Sequence, residues 1–269
     1  MILFEKLNRK KHRLERHNMD KFSREFEISF RDVDITGHLT ISTLVDFMQE
    51  IAREHAAELG LSYAALEDQY YWIVVRTKAT LSVAPSIGEK IRLETYIAGL
   101  EKLFSVRRFD IYNEDNECLG YILAYYLLMN KENHRPVKLK NLTGKESYFQ
   151  YPYEGEALPK LHEELEEIVG ETQRKVYSSD IDTNHHMNNA HYIRWIMDMF
   201  SIAELEKKKV VSIQIQYVKE VLEGQEIVVV RSIEVDNAIS VIGRNSEGMI
   251  HFISKVVVEM REESDEYSK

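Results

Sequence analysis

Asp32-Val33-Asp34-Ile35-Thr36-Gly37-His38 is answered by Asp180-Ile181-Asp182-Thr183-Asn184-His185-His186, at a constant offset of 148 residues counted from Asp32 to Asp180. The correspondence runs on, since Leu44, Phe47 and Met48 fall on Tyr192, Trp195 and Ile196 at the same offset. A match that covers a loop and the element after it indicates duplication of a whole domain. In each half the motif leads into apolar residues spaced by three and four: Leu44, Phe47, Met48, Ile51 and His55 up to Gly60, then Ile193, Ile196, Met197 and Phe200. That spacing puts them on one helix face and predicts a long helix in each half, the second from Ala190 to about Leu205. Thr40 or Ser42 can cap the first helix and Asn188 or Asn189 the second, because their side chains accept from the free amides of a first turn.

Beyond each helix the period changes to two. Val211, Ile213, Ile215 and Tyr217 alternate with Ser212, Gln214 and Gln216, and Ile227 to Val235 and Met249 to Met260 are rich in β-branched residues. In the first half, Trp72 to Val83, Ile91 to Ile97, Phe104 to Tyr112 and Leu119 to Met129 repeat the plan, with Asn113-Glu114-Asp115-Asn116 as a hairpin turn. One helix followed by antiparallel strands, twice over, is an α+β arrangement in which a curved sheet wraps each helix. The boundaries expected are an extension over 1–20, a first domain over 21–145, an acidic linker over 146–170, a second domain over 171–262 and a tail over 263–269. Residues 154–171 hold seven glutamates and one lysine, which reads as a solvated linker or surface helix crossing between the repeats. The run Glu262-Glu263-Ser264-Asp265-Glu266 reads as a frayed tail.

Composition narrows the function. A net charge of −10 argues against nonspecific nucleic-acid binding, which needs clustered Lys and Arg, and the one basic run, Arg9 to Arg13, reads as a solvated tail. No stretch approaches the roughly 18 apolar residues of a membrane span. Met1-Ile2-Leu3-Phe4 turns charged at Glu5 and Lys6, unlike a secretory signal, and the single cysteine, Cys118, rules out an intramolecular disulfide framework. Together these place the chain in the cytoplasm.

The segment Asp182-Thr183-Asn184-His185-His186-Met187-Asn188-Asn189 crowds a carboxylate, carboxamides and imidazoles at a helix N-terminus. Unpaired amides and the macrodipole there favour negative charge, the setting in which a thioester carbonyl would develop an oxyanion. Glu220 interrupts the β-favouring Tyr217-Val218-Lys219-Glu220-Val221. A sheet wrapped around the helix can bring that strand end to the helix start and set a carboxylate beside His186. Asp180, His185, His186 and His191 mix loop and helix positions and make a poor metal set, so neither metal nor other cofactor is expected.

With these residues in hand, the sequence resembles the acyl-ACP thioesterase family of plant plastids and bacteria, over roughly residues 20–260. The family's Asp-x-Asn-x-His-x-Asn-Asn motif reads here as Asp182, Asn184, His186, Asn188 and Asn189, and its Tyr-x-x-Glu segment as Tyr217 to Glu220. The resemblance implies a tandem (double) hot-dog fold and hydrolysis of fatty acyl groups from acyl carrier protein in fatty acid biosynthesis. It also implies a catalytic set of Asp182, Asn184, His186 and Glu220 with Asn188 and Asn189 binding substrate, and leaves room for a homodimer. Plant members usually carry a cysteine just after that glutamate. Here the position is Val221, so a cysteine nucleophile is hard to sustain, and attack by activated water or by a carboxylate remains.

The first repeat serves as an internal control. Asp34 and His38 persist, but Thr36 stands for Asn184, and anchoring on Gly88 and Gly224 sets Ala84 opposite Glu220. The resemblance gives that half the task of housing the acyl chain. Two other readings stand beside this one: an acyl-CoA thioesterase with the same chemistry, and a non-catalytic acyl- or carrier-binding module; a hot-dog dehydratase is a third, with no special need for the Asn188-Asn189 pair. Arg107, Arg108, Lys138 and Lys140 can pair with an acidic carrier, with the phosphates of coenzyme A, or with nothing.

Overall fold

The computed structural model describes residues 21–66, 69–142, 144–149, 151–163, 165, 167–183 and 185–261. The N-terminal extension, the acidic tail and Asn184 lie outside the described residues.

In the first half, strand β1 (Phe22–Glu27) precedes helix α1 (Ile41–Glu58), a short helix α2 (Tyr63–Leu66), and strands β2 (Tyr70–Leu81), β3 (Lys90–Glu101), β4 (Phe104–Tyr112) and β5 (Cys118–Asn130). The second half repeats the series with β6 (Ile168–Lys175), α3 (Asn189–Met197), α4 (Ile202–Leu205), β7 (Lys208–Tyr217), β8 (Glu226–Ser232), β9 (Ala238–Arg244) and β10 (Ile250–Met260). All ten strands form one sheet in the order β1-β3-β4-β5-β2-β7-β10-β9-β8-β6. Read outward from the centre, the two halves carry the same connectivity, and every pairing between neighbouring strands is antiparallel. The halves are joined by β2 and β7, in register from Arg76 opposite Gln216 to Thr80 opposite Ser212. This is the tandem hot-dog architecture, with one helix gripped by each half-sheet.

The helices form where the sequence pattern puts them, because an amphipathic stripe must be buried and the sheet supplies the apolar face. Leu44, Val45, Met48 and Ile51 of α1 and Ile193 and Ile196 of α3 enter one continuous core with Ile213, Ile215 and Phe252. Trp195, Met197, Met199 and Phe200 belong to that core as well. Thr40 caps α1 by accepting from Thr43 N, and Asn188 caps α3 by accepting from Ala190 N. The helices lie side by side, and Arg194 Nη2 donates to Asp46 Oδ2 at 2.5 Å.

The second helix is shorter than its apolar spacing predicts. It stops at Met197, and a new turn begins at Ile202. Ser201-Ile202-Ala203-Glu204 is a capping box: Ser201 Oγ accepts from Glu204 N at 3.3 Å, while Glu204 Oε2 accepts from Ser201 N at 2.8 Å. The break is stabilised from β8, where Arg231 donates to Met199 O at 2.8 Å and to Glu204 Oε1 at 2.6 Å. The hydrogen bond to Arg231 is the main reason the Glu204 carboxyl titrates at about 2. Strands β1, β6 and β9 also went unread in the sequence. Two lie at the outer ends of the sheet, where one side of a strand lacks a partner to enforce its pattern.

The acidic crossover is exposed over most of its described length but is pinned to the sheet at intervals. Its apolar residues Leu158, Leu161 and Leu165 step across the outer face of the sheet, the first against Val106, Leu123 and Tyr125, the others against Val230, Ile242 and Ile253. Gln214 and Gln216, on the outward face of β7, are buried under it. Gln214 Nε2 donates to Pro159 O at 2.7 Å, Gln216 Oε1 accepts from Leu161 N at 3.2 Å, and Arg76 Nη1 donates to Leu158 O at 2.5 Å. Glu163, between Leu161 and Leu165, is exposed, so charge density concealed a strap that straddles the junction of the halves. Its start is fixed at Gly99, whose φ of +141° and contact of 2.8 Å between an added Cβ and the Pro152–Tyr153 backbone admit only glycine.

Candidate active site

The motif loop is a closed turn. Asp182 N donates to His186 O at 2.8 Å, His185 N to Asp182 O at 3.0 Å, and His186 N to Asp182 Oδ1 at 3.3 Å. His185 takes the left-handed conformation at φ 63°, where the first repeat has Gly37 at φ 73°. Asp182 therefore orders the loop, and the turn projects the His186 side chain.

The strand end carrying Glu220 reaches the same place. Met187 N donates to Val221 O at 3.0 Å, which locks the loop to the segment after β7. Val221 N donates to the buried phenolic oxygen of Tyr192 at 3.2 Å, and His251 Nδ1 donates to Glu220 O at 3.1 Å. In return, Val218 N and Lys219 N both donate to His251 O. Burial raises the Tyr192 phenol and lowers the His251 imidazole, so both stay neutral and serve as fixed hydrogen-bonding posts. The Tyr192 ring is held edge-on by Tyr217 and Phe252, with centroids at 5.2 and 5.5 Å.

The result is that His186 Nε2 lies 3.0 Å from Glu220 Oε2, with side-chain exposures of 36% and 56%. Both remain open enough to meet a substrate and a water. They line a cavity of about 830 Å³ that the first half also lines, with Ala52 and Ala56 of α1, Arg107 and Tyr126. A volume of this size is in the range of small-ligand sites.

Asp182, His186, Asn189 and Glu220 all border this cavity. Asn188, expected to touch substrate, turns instead to structure: its Oδ1 accepts from Ala190 N at 2.9 Å and from Gln49 Nε2 at 3.0 Å. Asn189 Nδ2 donates to Gln49 Oε1 at 3.4 Å. The helix amides offered as oxyanion donors are partly spoken for, since Ala190 N and His191 N both donate to Asn188. Asp180 pairs with His191 at 2.8 Å, separately from His186 and Glu220.

Sequence reading missed Tyr192, His251 and Gln49. Tyr192 was visible only as an apolar helix position. His251 lies in β10, far along the chain, and a long-range backbone contact leaves no local signature. Gln49 sits on α1 of the other repeat with no spacing to mark it. Arg107, read as a surface cation, is buried inside the first half, and Arg108 donates to Asp110 at 2.7 Å.

The first repeat repeats the scaffold without the pair. Leu39 N donates to Pro85 O as Met187 N does to Val221 O, and Gly88 N to Ile28 O as Gly224 N does to Val176 O, so Ala84 takes the place of Glu220. His38 Nδ1 lies 3.1 Å from Thr36 Oγ1, which also accepts from Arg261. Cys118 begins β5 with Sγ 3.5 Å from Gly120 O, and does not line the cavity.

Two family profiles match the chain, one described as "Acyl-ACP thioesterase N-terminal domain" over residues 19–143 and one as "Acyl-ACP thioesterase C-terminal domain" over residues 163–261. The chloroplastic palmitoyl-acyl carrier protein thioesterase of Gossypium hirsutum is 25% identical over 214 residues, covering 74% of this chain and 52% of that one. The corresponding Arabidopsis thaliana protein is 24% identical with the same coverage. The chain thus spans about half the length of these curated relatives. Among solved structures, an acyl-ACP thioesterase from Bacteroides thetaiotaomicron superposes with a TM-score of 0.79 at 24% identity, covering 90% of this chain and 99% of that one. The 12:0-ACP thioesterase from Umbellularia californica superposes with 0.78 at 19%, covering 90% and 98%. At such identities these two likenesses speak to the fold. Among the described residues, no helix is long and apolar enough to cross a membrane.

Proposed function

As the chain belongs to the acyl-ACP thioesterase family, we propose that it hydrolyses the thioester of a fatty acyl group carried on acyl carrier protein, releasing the free fatty acid. The observation that carries this reading is the pair His186 Nε2 to Glu220 Oε2 at 3.0 Å, lining a cavity that the non-equivalent repeat also lines. One half supplies the chemistry and the other the room for a chain.

The reaction is addition of water to the thioester carbonyl. A water held by Glu220 gives its proton to the His186–Glu220 pair as its oxygen bonds to the carbonyl carbon. The oxyanion forms near the start of α3, whose dipole favours negative charge. The C–S bond then breaks, and the proton held by the pair passes to the departing pantetheine sulfur. Fatty acid and carrier thiol leave, and water is the only co-reactant. Asp182 keeps the loop in register, and the roles of Asn184 and Asn189 are to orient the base or the carbonyl.

For the carrier, exposed Lys138 and Lys140 retain the reading of a surface for an acidic partner, whereas buried Arg107 leaves that set. Free fatty acid release should be faster from palmitoyl-ACP than from palmitoyl-CoA at matched concentration. The reverse order would make the protein an acyl-CoA thioesterase, and binding without release would make it a carrier-docking module. Cys118→Ser should leave kcat within a few-fold, because the thiol does not line the cavity. A loss of the size expected for a missing nucleophile would restore the cysteine route.

A further inference from the structure

The inward face of β4 reads Ser105, Arg107, Phe109 and Ile111, so a guanidinium occupies a position whose neighbours build the core. Arg107 is only 6% exposed, and the face it does show lines the cavity. Its Nη1 donates to His55 Nδ1 at 2.8 Å and to Thr95 Oγ1 at 3.4 Å. Both acceptors are neutral. Burial, and the Arg107 charge, push His55 down to about 4, and Thr95 is a hydroxyl. Among the described residues no carboxylate lies within ion-pair distance of Arg107, and its two side-chain bonds leave from a single nitrogen.

Burying a guanidinium against neutral groups alone is costly, and an apolar residue of similar volume would pack this wall more favourably. The same desolvation lowers the pKa of Arg107 from its ordinary value. The remaining donors form a planar fork, which suits a carboxylate best and a hydroxyl less well. A methyl group gains nothing there and desolvates the charge further.

We propose that the first-half end of the cavity recognises an oxygen function at the far end of the acyl chain, so that chains ending in a carboxylate or hydroxyl are preferred substrates at the length that reaches Arg107. This rests on the hydrolase reading for turnover, but not for binding. The charge at Arg107 has no counter-ion among the described residues, and an ω-carboxylate would supply one in a low-dielectric site, where pairing is strong.

The test has two arms. In the first, kcat/KM is measured for wild-type protein on acyl-ACPs ending in carboxylate, hydroxyl or methyl, over a series of even chain lengths. At one length and above, carboxylate should exceed hydroxyl and hydroxyl exceed methyl, with roughly tenfold or more between the extremes, as for a charge-assisted hydrogen bond; Arg107→Met should reverse the order. Methyl-ended chains leading at every length in the wild type would overturn the proposal, even if Arg107→Met does not fold. In the second arm, calorimetry on Glu220→Gln protein compares α,ω-dicarboxylic with monocarboxylic acids of equal length, and the diacid should bind more tightly. Tighter diacid binding with no release from any acyl-ACP would sink the hydrolase reading and keep this one. Release without any end-group preference, and equal binding of the two acids, would do the converse.

Discussion

Glu220→Gln and His186→Ala should each lower kcat for acyl-ACP hydrolysis by about two orders of magnitude or more, the usual loss when a general base is removed. The two side chains meet at 3.0 Å and, in the proposed reaction, act as one proton acceptor, so the double variant should lose little beyond either single one. Thermal stability should scarcely change, because both groups are substantially exposed and an exposed pair contributes about 1 kcal/mol at most. Binding of acyl-ACP should survive, since the cavity wall is untouched. His38→Ala is the matched control: it alters the equivalent position of the first repeat, where Thr36 and Ala84 replace the working partners, and should do much less. A folded His38→Ala protein without turnover, next to an active His186→Ala protein, would move the active site to the other repeat.

The second large effect is on folding. Gly120 lies in β5 opposite Leu81 of β2, and a Cβ built there would stand 2.1 Å from Thr80 O and 2.9 Å from Leu81 Cα. Both are backbone atoms, so no rotamer change relieves the clash, and β5 would have to part from β2. Gly120→Ala should cost about 3 kcal/mol, at the upper end for an overpacked site. For a domain of this size that is a fall in Tm on the order of 10 °C, measurable by calorimetry. An unchanged melting curve would mean that the two strands separate here at little cost. Since β2 is also the strand that meets β7, residual activity should fall with the fraction folded rather than through kcat.

Much of this was legible in the sequence because duplication writes the same physics twice. The 148-residue offset marks two helix entries, and the anchors Gly88 and Gly224 align the strands well enough to set Ala84 against Glu220. The backbone bonds of Leu39 and Met187 show the same alignment. Long-range partners were not legible. Nothing near Glu220 in sequence announces that Tyr192 and His251 hold its backbone, since each arrives from another element. Composition misled where it averaged over sides: the glutamate-rich crossover carries three leucines on its inner side, and Arg107 looks like any other surface cation until the inward register of β4 is known. Helix α3 was overextended because periodicity continues through Phe200, whereas the local capping box at Ser201 decides where the helix breaks.

The strands at the centre of the sheet have a consequence for handling the protein in parts. β2 and β7, of 12 and 10 residues, are each other's partners across the junction. A fragment cut at the strap would present one of them as a long open edge, a ready template for aggregation. The covalent tether sets the concentration at which the two edges find each other by its own short length rather than by cellular abundance. Fusion thereby turns an encounter between two sticky surfaces into an internal and concentration-independent step of folding.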